Sequence, residues 1–254
     1  MRFAAGILCV LAPALLSLFS KDEPEVFAGP QEHFKYGSIG AEGRAGLPYW
    51  IWAALPRLFP EHLPNRPGEG YARFGLIFET PASKRPIGTS YREVQVGLVG
   101  LNCAACHTGT LRDSPASPRR IILGMPAHQF DLQSYQRFLF ACGADPRFTP
   151  EHLLPAIRAL NPEFSWFDSL LYRFVVIPRT RRGIAEERQR FAWFDQRPPQ
   201  GPGRVDTFNP YKVFFGFDLK TDTSIGTADL PSLWNQKMRE GLWLHWDGNN
   251  DLVT

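Results

Sequence analysis

A mainly α fold with long irregular connections is what this sequence predicts, on three observations. Prolines number 23 in 254 residues, about double the usual share of roughly 5%, and proline breaks helix interiors and sheet ladders. Apolar residues recur near helical spacing in several windows between residues 127 and 194. Helix-start signals such as Thr149-Pro150-Glu151 stand in front of such windows. Hydrophobic residues at 44%, aromatics at 13% and charged residues at 21% exclude a disordered tail, a collagen-like fibre and a coiled coil. The length suits one large domain or two small ones. A net charge of +3 with no concentrated basic stripe argues against a nucleic-acid partner.

Taken in order, the elements begin with an apolar run from Phe3 to Phe19 behind Met1-Arg2. A short positive start and an apolar stretch read as an export signal. Cleavage after Ala28 and retention as a membrane anchor both remain open, and the short apolar core with its internal Pro13 favours removal. Residues 1–28 are thus a signal peptide or N-terminal anchor, and the rest is expected to be periplasmic or secreted. Residues 29–90 form a loop-rich N-terminal extension, rich in Gly and Pro. Its one apolar segment runs from Leu47 to Leu55, where Pro48 suits the first turn of a helix carrying Trp50 and Trp52.

Residues 91–102 show a Val alternation compatible with a short strand, and Thr108 to Arg120 reads as a polar loop. Ala127 to Ala141 carries Phe130, Leu132, Tyr135, Phe138 and Leu139 near helical spacing, with Cys142 as a small buried residue before a Gly C-cap. Thr149 as N-cap and Pro150 at the first position start a helix to about Leu160. Pro162 to Val176 and Thr180 to Phe194 read as two more, completing a helical insertion over about 150–195. The arginines of the last (Arg181, Arg182, Arg188, Arg190) alternate with Glu186 and Glu187 as a solvated face. Gln196 to Pro210 is a Pro/Gly-rich loop, and Phe214, Phe215 and Phe217 are expected to pack a core.

The strongest local signal is Cys103-Ala104-Ala105-Cys106-His107, the C-x-x-C-H attachment pattern of c-type haem. Composition alone would produce it in roughly one such chain in 700. Thiols one helical turn apart can each form a thioether with one porphyrin vinyl group, and the adjoining His107 supplies the proximal imidazole. A thioredoxin-like site needs a βαβ setting that is missing here, and zinc needs a second ligand cluster that the sequence does not contain. A cytochrome c-like haem domain over residues 91–254, with covalent iron-bearing haem c, is the expectation.

With this motif, Ala228-Asp-Leu-Pro-Ser-Leu-Trp-Asn and Leu244-His-Trp-Asp-Gly-Asn, the chain resembles the N-terminal haem domain of bacterial di-haem cytochrome c peroxidases. The long spacing from His107 to the tail is closer to the rubber-oxygenase branch. The resemblance covers roughly residues 90–254 in motif order. It implies an oxidoreductase acting on peroxide or dioxygen, fed by a second haem domain or an electron-donor protein. The second C-x-x-C-H of that superfamily is absent from this sequence, which leaves a fragment, a split gene product and a true single-haem protein open, a fragment being favoured, and Asn249 stands where peroxidases carry Arg. A pure electron-transfer cytochrome with a six-coordinate iron is the alternative.

By that resemblance, His128, in the region after the motif, is the first candidate for a displaceable distal ligand; a surface polar residue is the other reading. Met125 is a second candidate, with pocket packing as its alternative. Trp246 matches the Trp that the resemblance places between two haems as an electron relay, against plain interface packing. Arg204 could pair with a haem propionate, because a guanidinium matches carboxylates bidentately, or lie free on the surface.

Overall fold

The computed structural model describes residues 22–40 and 42–242. The leader, Cys9 and the tail with His245, Trp246, Asp247 and Gly248 lie outside the described residues. Within them, helices combine with three small antiparallel sheets, so the chain is more mixed than the mainly α expectation.

A hairpin delivers the motif. Gln95, at φ 63°, turns β3 (Thr89–Val94) back into β4 (Val96–Leu101), in register from Val94↔Val96 to Thr89↔Leu101. Two short strands, β1 (Asp22–Pro24) and β2 (Leu47–Pro48), flank the pair in the order β1-β3-β4-β2. Two short helices, α1 (Pro30–Tyr36) and α2 (Glu42–Ala45), precede α3 (Tyr49–Leu58), the helix read from Trp50 and Trp52. Strand β4 runs through Asn102 into α4 (Cys103–Cys106), the helical turn of the motif.

The polar loop expected over 108–120 is instead a hairpin. Strands β5 (Thr108–Leu111) and β6 (Arg120–Leu123) pair from Thr108↔Leu123 to Leu111↔Arg120, leaving only the tip irregular. The Pro/Gly-rich stretch at 196–210 likewise contains a strand, β7 (Arg204–Asp206), which pairs with β8 (Thr227–Asp229).

The helices match their signals, with shifted ends. Helix α5 (Leu132–Ala144) starts later than Ala127, because the Asp131 carboxylate caps it by accepting from the Ser134 amide at 2.9 Å. It continues through Gly143, which is no C-cap: a Cβ there would lie 2.5 Å from Ile184 Cγ2, so glycine permits the close crossing with a later helix. Helix α6 (Pro150–Leu160) runs as read. Helix α7 (Trp166–Leu171) begins at a Ser165/Asp168 capping box rather than at Pro162. It passes through a π-turn (Tyr172–Val176) into α8 (Ile177–Arg190) without the expected break before Thr180. A short α9 (Asn209–Phe214) completes the set.

One apolar cluster joins Ile51 and Trp52 of α3, and Phe59 just past its end, to Tyr71, Phe74, Tyr135, Phe138, Leu153 and Ile184. Pro56 explains part of this geometry. Inside α3 it has no N–H for the carbonyl four residues back, that of Trp52. The buried Tyr71 hydroxyl donates to that oxygen at 2.6 Å, while the Tyr71 ring stacks on Trp52 at 4.1 Å. Trp52 Nε1 in turn donates to the Tyr135 hydroxyl at 3.0 Å, tying α3 to α5. The phenylalanines at 214, 215 and 217 do not pack a core; all three are exposed, Phe214 by 81%. No helix among the described residues is long and apolar enough to cross a membrane.

Candidate functional site

The C-x-x-C turn is fixed from both sides. Asn102 precedes it in extended backbone, and its Oδ1 accepts from the Ala104 amide at 2.9 Å. The amide nitrogen of the same side chain donates to the carbonyls of Gly37 at 3.0 Å and Lys35 at 3.3 Å, anchoring the turn to the end of α1. Beneath it, Gly88 at φ +89° lies so close that a Cβ would stand 2.3 Å from Ala105 N and Cα. Its own amide donates to Lys35 O, and its carbonyl accepts from Asn102 N. Glycine is required there on both counts, conformation and contact.

This scaffold presents two unpaired thiols. Cys103 is exposed and Cys106 half-buried, with burial pushing the Cys106 thiol up to about 11. The His107 amide closes the turn on Cys103 O at 3.0 Å. His107 Nδ1 stands 2.8 Å from the carbonyl oxygen of Pro231. A carbonyl only accepts, so Nδ1 carries the proton and Nε2 keeps its lone pair for a metal. Two free thiols a turn apart and the adjoining imidazole are groups that could hold a covalent haem.

Pro231 belongs to a strap that crosses behind the motif. Leu230 donates to Gly203 O at 3.0 Å and Leu233 to Gly124 O at 2.8 Å. Gly124 donates to His107 O, and Ala127 to Cys106 O. Trp234 Nε1 reaches Leu123 O at 3.1 Å, over a Gly124 whose Cβ would lie 2.9 Å from the indole nitrogen. Of these residues only Asn102 carries a local signal, a capping residue before a helical turn. The Pro231 carbonyl is a backbone atom 124 residues from its partner and leaves no mark in the sequence.

His128 directly follows Ala127, and its imidazole is exposed. Gly203 packs against its backbone, a Cβ there meeting His128 Cα at 2.9 Å, and Gly203 O holds Leu230 of the strap. The His128 backbone therefore belongs to the layer that buttresses His107. Among the described residues no hydrogen bond or ring contact joins the two imidazoles. Met125 packs on β5, its sulfur 2.9 Å from where a Gly109 Cβ would be. Arg204 Nε donates to Asp229 Oδ1 at 2.9 Å, an exposed ion pair at one end of the β7–β8 ladder, with Asp229 two residues from Pro231.

Two further groups resolve as structure. His62 contacts Asp145 Oδ2 at 3.1 Å, and with Glu61 the three could converge on a cation. Arg147 already fills that place, donating to Glu61 and to both Asp145 oxygens, and it holds the Asp145 carboxyl well below the usual range. Cys142 is buried in α5, and burial pushes its thiol up, as an inert core residue requires. No family model, curated protein or solved structure matches this chain, so its chemistry is read from the geometry around His107.

Proposed function

We propose that residues 91–254 are a covalent haem c domain of an exported di-haem oxidoreductase that uses peroxide or dioxygen. The observation that carries the haem is the His107 Nδ1 to Pro231 O contact of 2.8 Å, beside two free thiols on an Asn102-capped turn. Cys103 and Cys106 would hold the haem through thioethers, each thiol adding across one vinyl group. His107 would hold the iron through Nε2, with Pro231 O fixing the ring's rotation and making that nitrogen a better donor. When bound, the haem supplies a redox-active iron able to reduce peroxide or activate dioxygen. The reaction class rests on the resemblance in the motif and tail, which also calls for a second haem domain or electron-donor protein.

Periplasmic expression alongside a haem-attachment system tests the reading. A coloured protein heavier than the polypeptide by one haem is expected, and Cys103→Ser/Cys106→Ser should be colourless. His107→Gly should keep the attached haem with a changed spectrum. High-spin features that shift with cyanide or CO support oxidant chemistry; an unresponsive low-spin spectrum reduces the domain to electron transfer. Colourless wild-type material of bare polypeptide mass overturns the proposal.

A further inference from the structure

The continuous helical run from Trp166 to Arg190 turns an apolar face outward. Trp166 is 74% exposed and Phe174 70%, with Phe167, Leu170 and Val175 also exposed. Trp166, Leu170 and Phe174 follow one another at four-residue spacing, and the rings of Trp166 and Phe167 meet edge to face at 6.1 Å. The capping box at Ser165 holds the start of this run rigid, and it occupies the Asp168 carboxylate. Soluble surfaces seldom leave such a cluster uncovered.

Charge is distributed unevenly around it. Arg173 pairs with Glu151, Arg188 with Asp195 and Arg190 with Glu187, while Arg158 donates to Ser169 and Arg181 to the carbonyls of Gly143 and Asp145. Arg179 and Arg182 are exposed and have no such partner among the described residues. These two line a groove together with Phe174, Val175 and Pro178, in which Glu186 is the one carboxylate. A second apolar groove, lined by Phe148, Pro150 and Ile177, adjoins it across Pro178 and Arg182. The uncompensated guanidiniums of the run therefore stand beside its apolar side chains.

We propose that this face docks on an anionic phospholipid bilayer, with Trp166, Phe167, Leu170 and Phe174 entering the headgroup–acyl boundary and Arg179 and Arg182 meeting the phosphates. Aromatic rings with adjacent arginines suit that boundary, where apolar burial and attraction to anionic lipid act together. A second copy of the same face fits less well, since a two-fold contact would bring like guanidiniums together. The proposal does not depend on the haem.

The test is partitioning of the full chain onto phosphatidylcholine vesicles with and without a quarter of phosphatidylglycerol. Arg179→Gln/Arg182→Gln should weaken binding to the anionic vesicles by about thirtyfold, at about fivefold per arginine near the surface, and leave the neutral ones unchanged. Trp166→Ser/Phe167→Ser/Phe174→Ser should weaken it by at least about tenfold with the far-UV spectrum preserved, because the side chains are exposed. Brominated acyl chains should quench tryptophan fluorescence in the wild type and much less in Trp166→Phe, which still binds; the leader contains no tryptophan. Equal binding to both vesicle types, unchanged quenching in Trp166→Phe, or a vesicle-independent dimer that the triple serine variant dissolves would each overturn the proposal, the last in favour of self-association.

Discussion

Gly88 is the residue on which the C-x-x-C turn rests. At φ +89°, with Ala105 N and Cα 2.3 Å from where a Cβ would sit, it leaves an alanine neither a favourable backbone state nor space. The neighbour is backbone, so no rotamer change relieves the contact. Gly88→Ala should therefore cost at least about 2 kcal/mol of stability and displace the turn that spaces Cys103 and Cys106. A lowered urea midpoint together with reduced haem attachment is the expected result. A variant that unfolds with the wild type and matures normally would show that the turn is not held from beneath. Gly203 and Gly124 play related parts, admitting the His128 backbone and the Trp234 indole. None of the three glycines belongs to the C-x-x-C-H pattern, although together they set what that pattern can touch.

Among the elements, α3 shows how a local fault is met by a distant residue. Pro56 removes the donor for Trp52 O, and the Tyr71 hydroxyl replaces it at 2.6 Å. Tyr71→Phe keeps the stacked ring but leaves a buried carbonyl without a partner, which should cost about 1–3 kcal/mol. Thermal unfolding checks it, and an unchanged midpoint would mean that water reaches Trp52 O. The sequence announces α3 through its aromatic run behind Pro48, and α6 through Thr149-Pro150, because those signals are local. Helix α7 begins at Ser165-x-x-Asp168, an equally local signal that the longer apolar pattern from Pro162 obscured. The β5–β6 and β7–β8 pairs were hidden for another reason. Their strands are three or four residues long and rich in turn formers nearby, so neither alternation nor length distinguishes them from loop. Exposure of Phe214, Phe215 and Phe217 was equally illegible, since periodicity says which side chains share a face but not what covers it.

At the scale of the whole molecule, the candidate site depends on parts of the chain that are far apart in sequence. The thiols and imidazole come from one pentapeptide, whereas the atom that orients the imidazole comes from Pro231. The strap carrying Pro231 is held by Leu230 to Gly203 and by Leu233 to Gly124, and Gly124 itself bonds the His107 carbonyl. An iron bound at Nε2 would stop the His107 ring from rotating, and the ring would then hold the strap through Nδ1. Opening the strap in a haem-loaded protein would have to break these bonds together, while in a haem-free chain the His107 contact could be released first. Anything that binds the closed form alone adds to the free energy of opening. Amide exchange at Leu230 and Leu233 should accordingly be slower in matured protein than in Cys103→Ser/Cys106→Ser, by at least about tenfold, or about 1.4 kcal/mol. Amides of α5, which close on their own helix, serve as the internal control. Equal exchange of the strap amides in the two proteins would sever the link between porphyrin attachment and the C-terminal segment, and would leave the Pro231 contact as a packing detail of the His107 ring.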